Sequence, residues 1–176
     1  MKMKFVLSSS KLITWLLIAV IMFTFLSFIN TPIVRAQDAV VCTRTYDYWK
    51  THSIYGPRSY DPVWANVGEE TLFYTSGKTF YEVMWTPPQK GNVYYKLAHA
   101  FITATLNDWA GASITDYGES VEVAYYSAMW QFENSTPEDV AVYKGKDGKV
   151  EREVIMDWTR RLDEFNKGIV GPGKCD

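Results

Sequence analysis

The chain has few of the side chains that usually carry catalysis or hold metal: 176 residues contain two cysteines and two histidines. A zinc site needs three or four nitrogen, sulfur or oxygen ligands at a characteristic spacing, and no HExxH or CxxC motif occurs. A calcium loop of the D-x-D-x-D-G type, a G-x-S-x-G motif and a reactive-cysteine signature are also missing. The sequence therefore predicts no metal, no cofactor and no catalytic residue.

The first 36 residues have the layout of a secretory signal peptide. Lysines at positions 2, 4 and 11 precede an apolar run over residues 12–29, and the segment ends in Val34-Arg35-Ala36. A basic region, an apolar region and a small residue at the cleavage site, in that order, direct export. We expect cleavage after Ala36. The alternative is retention as a membrane anchor, although the run falls slightly short of the roughly 20 apolar residues that span a bilayer.

Removal of residues 1–36 leaves residues 37–176, the length of one ordinary domain. This part keeps 14 basic and 20 acidic residues, a net charge of −6. Its basic residues cluster only at Arg160-Arg161 and in the turn over residues 144–149. Because a phosphate backbone must be met by a basic patch, we expect no nucleic-acid partner, and a membrane contact only if residues 1–36 are retained.

The two cysteines lie at opposite ends of this domain, as Cys42 and Cys175. An even number of cysteines in an exported protein indicates a disulfide. We expect one bridge between the two ends, with two free or intermolecular thiols as the alternative.

The apolar pattern predicts a mainly α-helical domain. Apolar residues recur every three or four positions over residues 92–109, 118–132 and 150–167, and Thr136-Pro137 has the composition of a short helix start. Another short helix is predicted over residues 76–84 with Thr75 as its cap. Residues 37–64 contain many aromatics, two prolines and a glycine, so we expect an irregular arm with at most one helical turn. Most of the tryptophan and tyrosine rings should be in the core.

Three polar residues suggest alternatives to a purely structural role. His52 and His99 could join a carboxylate in a hydrolase or metal-dependent enzyme. This requires that the fold brings the three groups within hydrogen-bond distance of one another, directly or through one water. Asn134 begins the Asn-x-Thr sequon of the chain and could be glycosylated, although Pro137 and a capping role for Thr136 compete with this.

Several short motifs follow one another along the domain. They are Cys42 with Tyr48-Trp49-Lys50-Thr51-His52, then Pro87-Pro88-Gln89-Lys90-Gly91-Asn92, Leu97-Ala98-His99, Leu106-Asn107, Leu162-Asp163-Glu164-Phe165-Asn166-Lys167-Gly168 and Gly171-Pro172-Gly173-Lys174-Cys175. In this order they resemble a family of small secreted domains of bacterial and archaeal surface proteins, mostly of unassigned function. Asp47 replaces the family's usual glycine and Ala100 its common glutamine. The resemblance implies a helical domain with a terminal disulfide, in which Trp49 and His52 lie against the central helix.

These observations favour a non-catalytic, secreted or cell-surface module with a binding or structural function. Its expected partner is an extracellular protein, a glycan or copies of itself. The candidate binding residues are those of the motifs, Trp49, Lys50, His52 and His99. The alternative remains a secreted hydrolase or metal-dependent enzyme that uses the two histidines.

Overall fold

The computed structural model describes residues 41–143 and 145–175. The predicted signal peptide or anchor, residues 1–36, lies outside the described residues. No helix in the described ranges combines the length and the apolar character that a bilayer crossing requires.

The described part of the chain is helical, as the sequence predicts. Its α-helices are α1 (Tyr46–Thr51), α2 (Trp64–Val67), α3 (Phe80–Trp85), α4 (Tyr94–Trp109), α5 (Glu119–Asn134), α6 (Pro137–Ala141) and α7 (Lys149–Asn166). Single 3₁₀ turns occupy Tyr74–Ser76 and Ile114–Tyr117. Pairing of extended chain in these residues is limited to two isolated bridges, Thr43 with Lys174 and Leu72 with Thr79.

Helix α4 is at the centre of the domain, because 12 of its 16 residues are buried. It packs most extensively on α7, which also packs on α5. The short helices α1, α2 and α3 cover another side of α4. Aromatic rings fill much of the core, and Phe73 lies within 5.0 Å, centroid to centroid, of Phe80 and of Phe132.

The three long helices agree with their sequence pattern to within two residues at each end. The short helix predicted over residues 76–84 is wrong at its start. Gly77 adopts a left-handed conformation with φ of 69°, so the chain turns there and the helix begins at Phe80. Thr79 caps it in a capping box with Glu82, while the Thr75 hydroxyl lies within hydrogen-bond distance of the carbonyl oxygens of Phe132 and Ser135.

The predicted bridge between Cys42 and Cys175 is present, with the two Cα atoms 5.0 Å apart. Beside it, Thr43 N–H donates to Gly173 O at 2.8 Å and Cys175 N–H donates to Thr43 O at 2.9 Å. The turn after α7 requires glycine at Gly168, because φ is 68° and a Cβ there would lie 2.2 Å from Lys174 N. The disulfide indicates an extracellular or otherwise oxidising environment.

Candidate functional site

The side chain of Asn107, near the end of α4, is the centre of a buried network that joins the arm to the helices. Asn107 Oδ1 accepts hydrogen bonds from Arg44 N–H at 2.8 Å and from Trp49 Nε1–H at 3.0 Å. Its amide nitrogen donates to Arg44 O at 2.9 Å and to Asn166 Oδ1 at 3.0 Å. An asparagine side chain has two donor hydrogens and two acceptor positions, so Asn107 is fully satisfied although it is completely buried.

Asn166 and Trp64 extend this network in opposite directions. Asn166 Nδ2 donates to Ala100 O at 2.8 Å, which ties the last turn of α7 to α4. Trp64 Nε1–H donates to Trp49 O at 3.0 Å, which ties α2 to α1. We call the disulfide together with Trp49, Asn107 and Asn166 the terminal clamp. It explains why the motif residues at both ends of the chain meet in one place.

Helix α1 carries two tyrosines, Tyr46 and Tyr48, and the ring of each contacts a cation four residues away in the sequence. The Arg44 guanidinium lies 4.1 Å from the Tyr48 ring centroid. Lys50 Nζ lies 5.4 Å from the ring of Tyr46 and 4.3 Å from the ring of Trp85. All three distances fall within the range of cation–π attraction, so α1 is attached to its surroundings by aromatic and cationic contacts.

The two histidines contact different tyrosines of α1. His52 stacks on Tyr48 at 3.9 Å, and its Nδ1–H donates to Tyr48 O at 2.7 Å. His99 stacks on Tyr46 at 4.6 Å, and its Nε2–H donates to Val83 O at 2.9 Å. Burial lowers the pKa of His99, because the protonated ring loses its hydration there.

Each of the candidate binding residues chosen from the motifs makes contacts within the domain. Trp49 is completely buried and His99 is 9% exposed, whereas Lys50 and His52 are half-buried. Each imidazole is bonded to a main-chain carbonyl, and the described residues contain no group of three potential metal ligands. The enzyme alternative thus remains a hypothesis without an assembled site in the described residues.

Asn134 is exposed at the end of α5, and its Nδ2 donates to Trp130 O at 2.8 Å. Thr136 caps α6: its hydroxyl oxygen accepts from Asp139 N–H at 3.2 Å, and Thr136 N–H donates to the Asp139 carboxylate at 2.8 Å. The Asn134 amide and the sequon hydroxyl therefore both have partners within the protein. Glycosylation of Asn134 stays a prediction.

A second candidate site is an exposed apolar face on helices α5 and α7. On α5, Val123, Tyr126 and Trp130 are spaced at three and four residues and so share one side. On α7, Val150, Val154 and Trp158 are spaced at four residues. Trp130 is 61% exposed, Tyr126 53% and Val150 68%. We call these six residues the helical apolar face.

The two halves of this face meet at an open groove of about 290 Å³. Trp130 and Gln131 line it from α5, and Tyr143 also contributes. The lining residues of α7 are Val150, Glu151, Val154, Ile155 and Trp158. In the apolar pattern of residues 150–167, Val154 and Trp158 share one stripe with Ile155, Leu162 and Phe165, and such a stripe is expected to face the core. That expectation is wrong for Val154, which is 43% exposed, and only partly right for Trp158, which is half-buried.

Most charges that flank the face on α7 are paired within the helix. Lys149 Nζ lies 3.6 Å from Glu153, and Arg161 Nε lies 2.7 Å from Asp157. Arg160 contacts both Asp157 and Glu164. The edge of the face on α7 is therefore close to neutral, in contrast to the acidic domain as a whole.

Comparison with known proteins adds no family to these observations. No family model matches the chain, and no significant match is found among curated proteins or solved structures.

Proposed function

We propose that the protein is a non-catalytic module of the extracellular or cell-surface space that associates with copies of itself through the helical apolar face. The observation that carries this proposal is the exposure of Trp130 among apolar neighbours on two packed helices. Exposed apolar residues that form a continuous patch mark interaction sites more often than isolated ones do. We further propose that the chain is exported by residues 1–36 and belongs to the family of small secreted surface domains that its motifs resemble.

The chemistry of this face favours a protein partner over a glycan. Most of the groove lining is apolar, and its polar side chains, Gln131 and Glu151, are few for the many donors and acceptors that sugar hydroxyls need beside an aromatic ring. Trp and Tyr surrounded by aliphatic residues are typical of the centre of a protein interface, where a few aromatic side chains contribute most of the binding energy.

A second copy of the chain is favoured as that partner by the charge balance of α7. Two molecules that meet face to face in a two-fold arrangement bring the same surface together. The flanking ions of α7 are already paired within the helix and add little like-charge repulsion, whereas Glu119, Glu122 and Glu133 of α5 have no ion pair among the described residues and repel their counterparts. The net charge of −6 repels at longer range, and salt screens that repulsion. Association should therefore strengthen as the salt concentration rises.

The test is analytical ultracentrifugation of protein purified from a secreting host, over a wide concentration range and at two salt concentrations. We expect reversible association that Trp130→Ala weakens by about 30-fold or more, as for a central interface tryptophan. Trp109→Ala is the matched control, because Trp109 is 57% exposed but does not line the groove. A monomer at all concentrations, or equal effects of the two variants, would overturn the proposed self-association.

The export part of the proposal has its own measurement. N-terminal sequencing of the exported protein should give a chain that starts at Gln37. A chain that keeps residues 1–36 and stays with the membrane fraction would instead support the anchor.

A further inference from the structure

An open cleft lies between Tyr55 and the exposed side of α3. One part, about 380 Å³, is lined by Tyr55, Glu70, Thr79, Tyr81 and Glu82. A second part, about 460 Å³, shares Tyr55 and Glu70 and continues along residues 68–71 and Ile54. Each volume falls within the range of small-ligand sites. None of these residues belongs to the helical apolar face.

Aromatic rings form a row along one side of the cleft. The rings of Tyr55 and Tyr81 are 4.8 Å apart, and those of Tyr81 and Trp85, one turn further along α3, are 6.0 Å apart. Lys50 Nζ already lies 4.3 Å over Trp85. At one end of the row, the ammonium group of Lys50 lies over Trp85. At the other end, no cation of the described residues lies over Tyr55 or Tyr81.

Glu69 is the least exposed of the three carboxylates that line the cleft. The residue is only 8% exposed, and its Oε1 accepts from Ile54 N–H at 2.6 Å. In the described ranges its second oxygen accepts no hydrogen bond and no basic side chain lies within ion-pair distance. That oxygen is not fully enclosed by the protein and lines the cleft, so an N–H group of a cation in the cleft can reach it and form a charge-assisted hydrogen bond.

The other two carboxylates of the cleft differ in their partners. Glu82 accepts a hydrogen bond from Thr79 N–H. The hydrogen bonds with Thr79 lower the pKa of Glu82, and the charge of nearby Lys78 adds a smaller effect in the same direction. Glu70 accepts a hydrogen bond from the Tyr55 hydroxyl. That bond raises the pKa of Tyr55, and the charges of Glu70 and Glu69 add to the effect. The negative potential is thus concentrated where Glu69, Glu70 and the Tyr55 ring meet.

We propose that this cleft binds a primary alkylammonium group, the chemistry of a lysine side chain or a free amine. A tyrosine pair attracts an organic cation of either the primary or the quaternary type. Glu69 favours the primary type, because its free oxygen accepts an N–H bond and a quaternary ammonium has none to donate.

The experiment is an NMR titration of the secreted protein with three probes: Nα-acetyl-lysine amide, its neutral isostere Nα-acetyl-norleucine amide, and n-butylammonium. The lysine probe should bind about tenfold more tightly than the norleucine probe, and more weakly as salt is added. Equal affinity for lysine and butylammonium would assign recognition to the ammonium alone. Tighter binding of the lysine probe would assign it to lysine within a polypeptide.

Glu69→Gln separates charge from shape, because glutamine keeps an acceptor for Ile54 N–H. It should weaken binding of the lysine probe about tenfold, while Glu138→Gln, at an exposed glutamate of α6, leaves it unchanged. Both variants should give the same ultracentrifugation result as the parent protein, so this site and the proposed self-association can fail separately. Equal affinity for lysine and norleucine, or no effect of Glu69→Gln in a folded protein, would overturn the proposal.

Discussion

The terminal clamp makes Asn107 one of the most sensitive positions of the molecule. Asn107→Ala removes four hydrogen bonds at once, two to Arg44, one to Trp49 and one to Asn166. The alanine cannot replace any of them. Each buried polar group left without a partner costs about 1 to 3 kcal/mol.

Two effects reduce the total loss. A water molecule can enter the vacated space and bond to some of the freed groups, and alanine forms helix more readily than asparagine, which recovers about 0.5 kcal/mol. We therefore expect Asn107→Ala to lower the free energy of unfolding by about 3 to 5 kcal/mol. Since a domain of this kind has a total stability of about 5 to 15 kcal/mol, the variant should be markedly less stable.

Urea unfolding followed by tryptophan fluorescence and by circular dichroism measures this loss. Asn66→Ala is the control, because Asn66 is exposed and makes one side-chain bond, to Val63 O; its effect should stay within about 0.5 kcal/mol. Asn107→Asp keeps the acceptors but loses both donors and adds a buried charge, so it should be at least as destabilising as alanine at neutral pH. If the free energies of unfolding of Asn107→Ala and Asn66→Ala differ by less than about 1 kcal/mol, the hydrogen bonds of Asn107 contribute little to the stability of the domain.

Two further predictions concern the same region. Replacing both cysteines, Cys42→Ser with Cys175→Ser, should cost about 2 to 5 kcal/mol in urea unfolding, since the bridge closes a loop of 133 residues; an unchanged Tm after reduction of the parent protein would contradict this. The lowered pKa of His99 means that the unfolded chain binds a proton at a higher pH than the folded one. The free energy of unfolding should therefore fall as pH drops through about 6.5. His99→Gln should flatten that slope between pH 7.5 and 5, and an unchanged slope would rule out this role.

The long helices were predictable because their apolar residues recur over four turns or more. The prediction starts helix α3 too early, because Thr75 and Thr79 both precede the apolar residues that begin at Phe80 and either threonine could cap the helix. The deciding information is local: Gly77 permits a left-handed turn, and Glu82 follows Thr79 by three residues and completes a capping box. A search for that box would have found the correct start.

The clamp and the exposed face show what periodicity leaves out. Asn107 and Asn166 each follow a buried apolar residue on a buried side of a helix, but no rule of spacing joins two amides 59 residues apart. The apolar stripe of α7 predicts that this side of the helix is buried, but the pattern does not identify the surface that buries it. Part of that stripe packs on α4 and α5, and the part with Val154 remains open.

The clamp and the cleft are mechanically connected, although they use different residues. Trp64 donates to the main chain of Trp49, whose ring is bonded to Asn107. Trp64 O accepts from the N–H of Gly68, which lines the cleft. Glu69 accepts from Ile54 N–H through its side chain and from Tyr81 N–H through its carbonyl. Trp49 and Asn107, which belong to the motifs, thus help to position the cleft segment over residues 68–71, which lies outside the motifs. A change at the clamp should alter the cleft through this chain of bonds, whereas Glu69→Gln should leave the clamp intact.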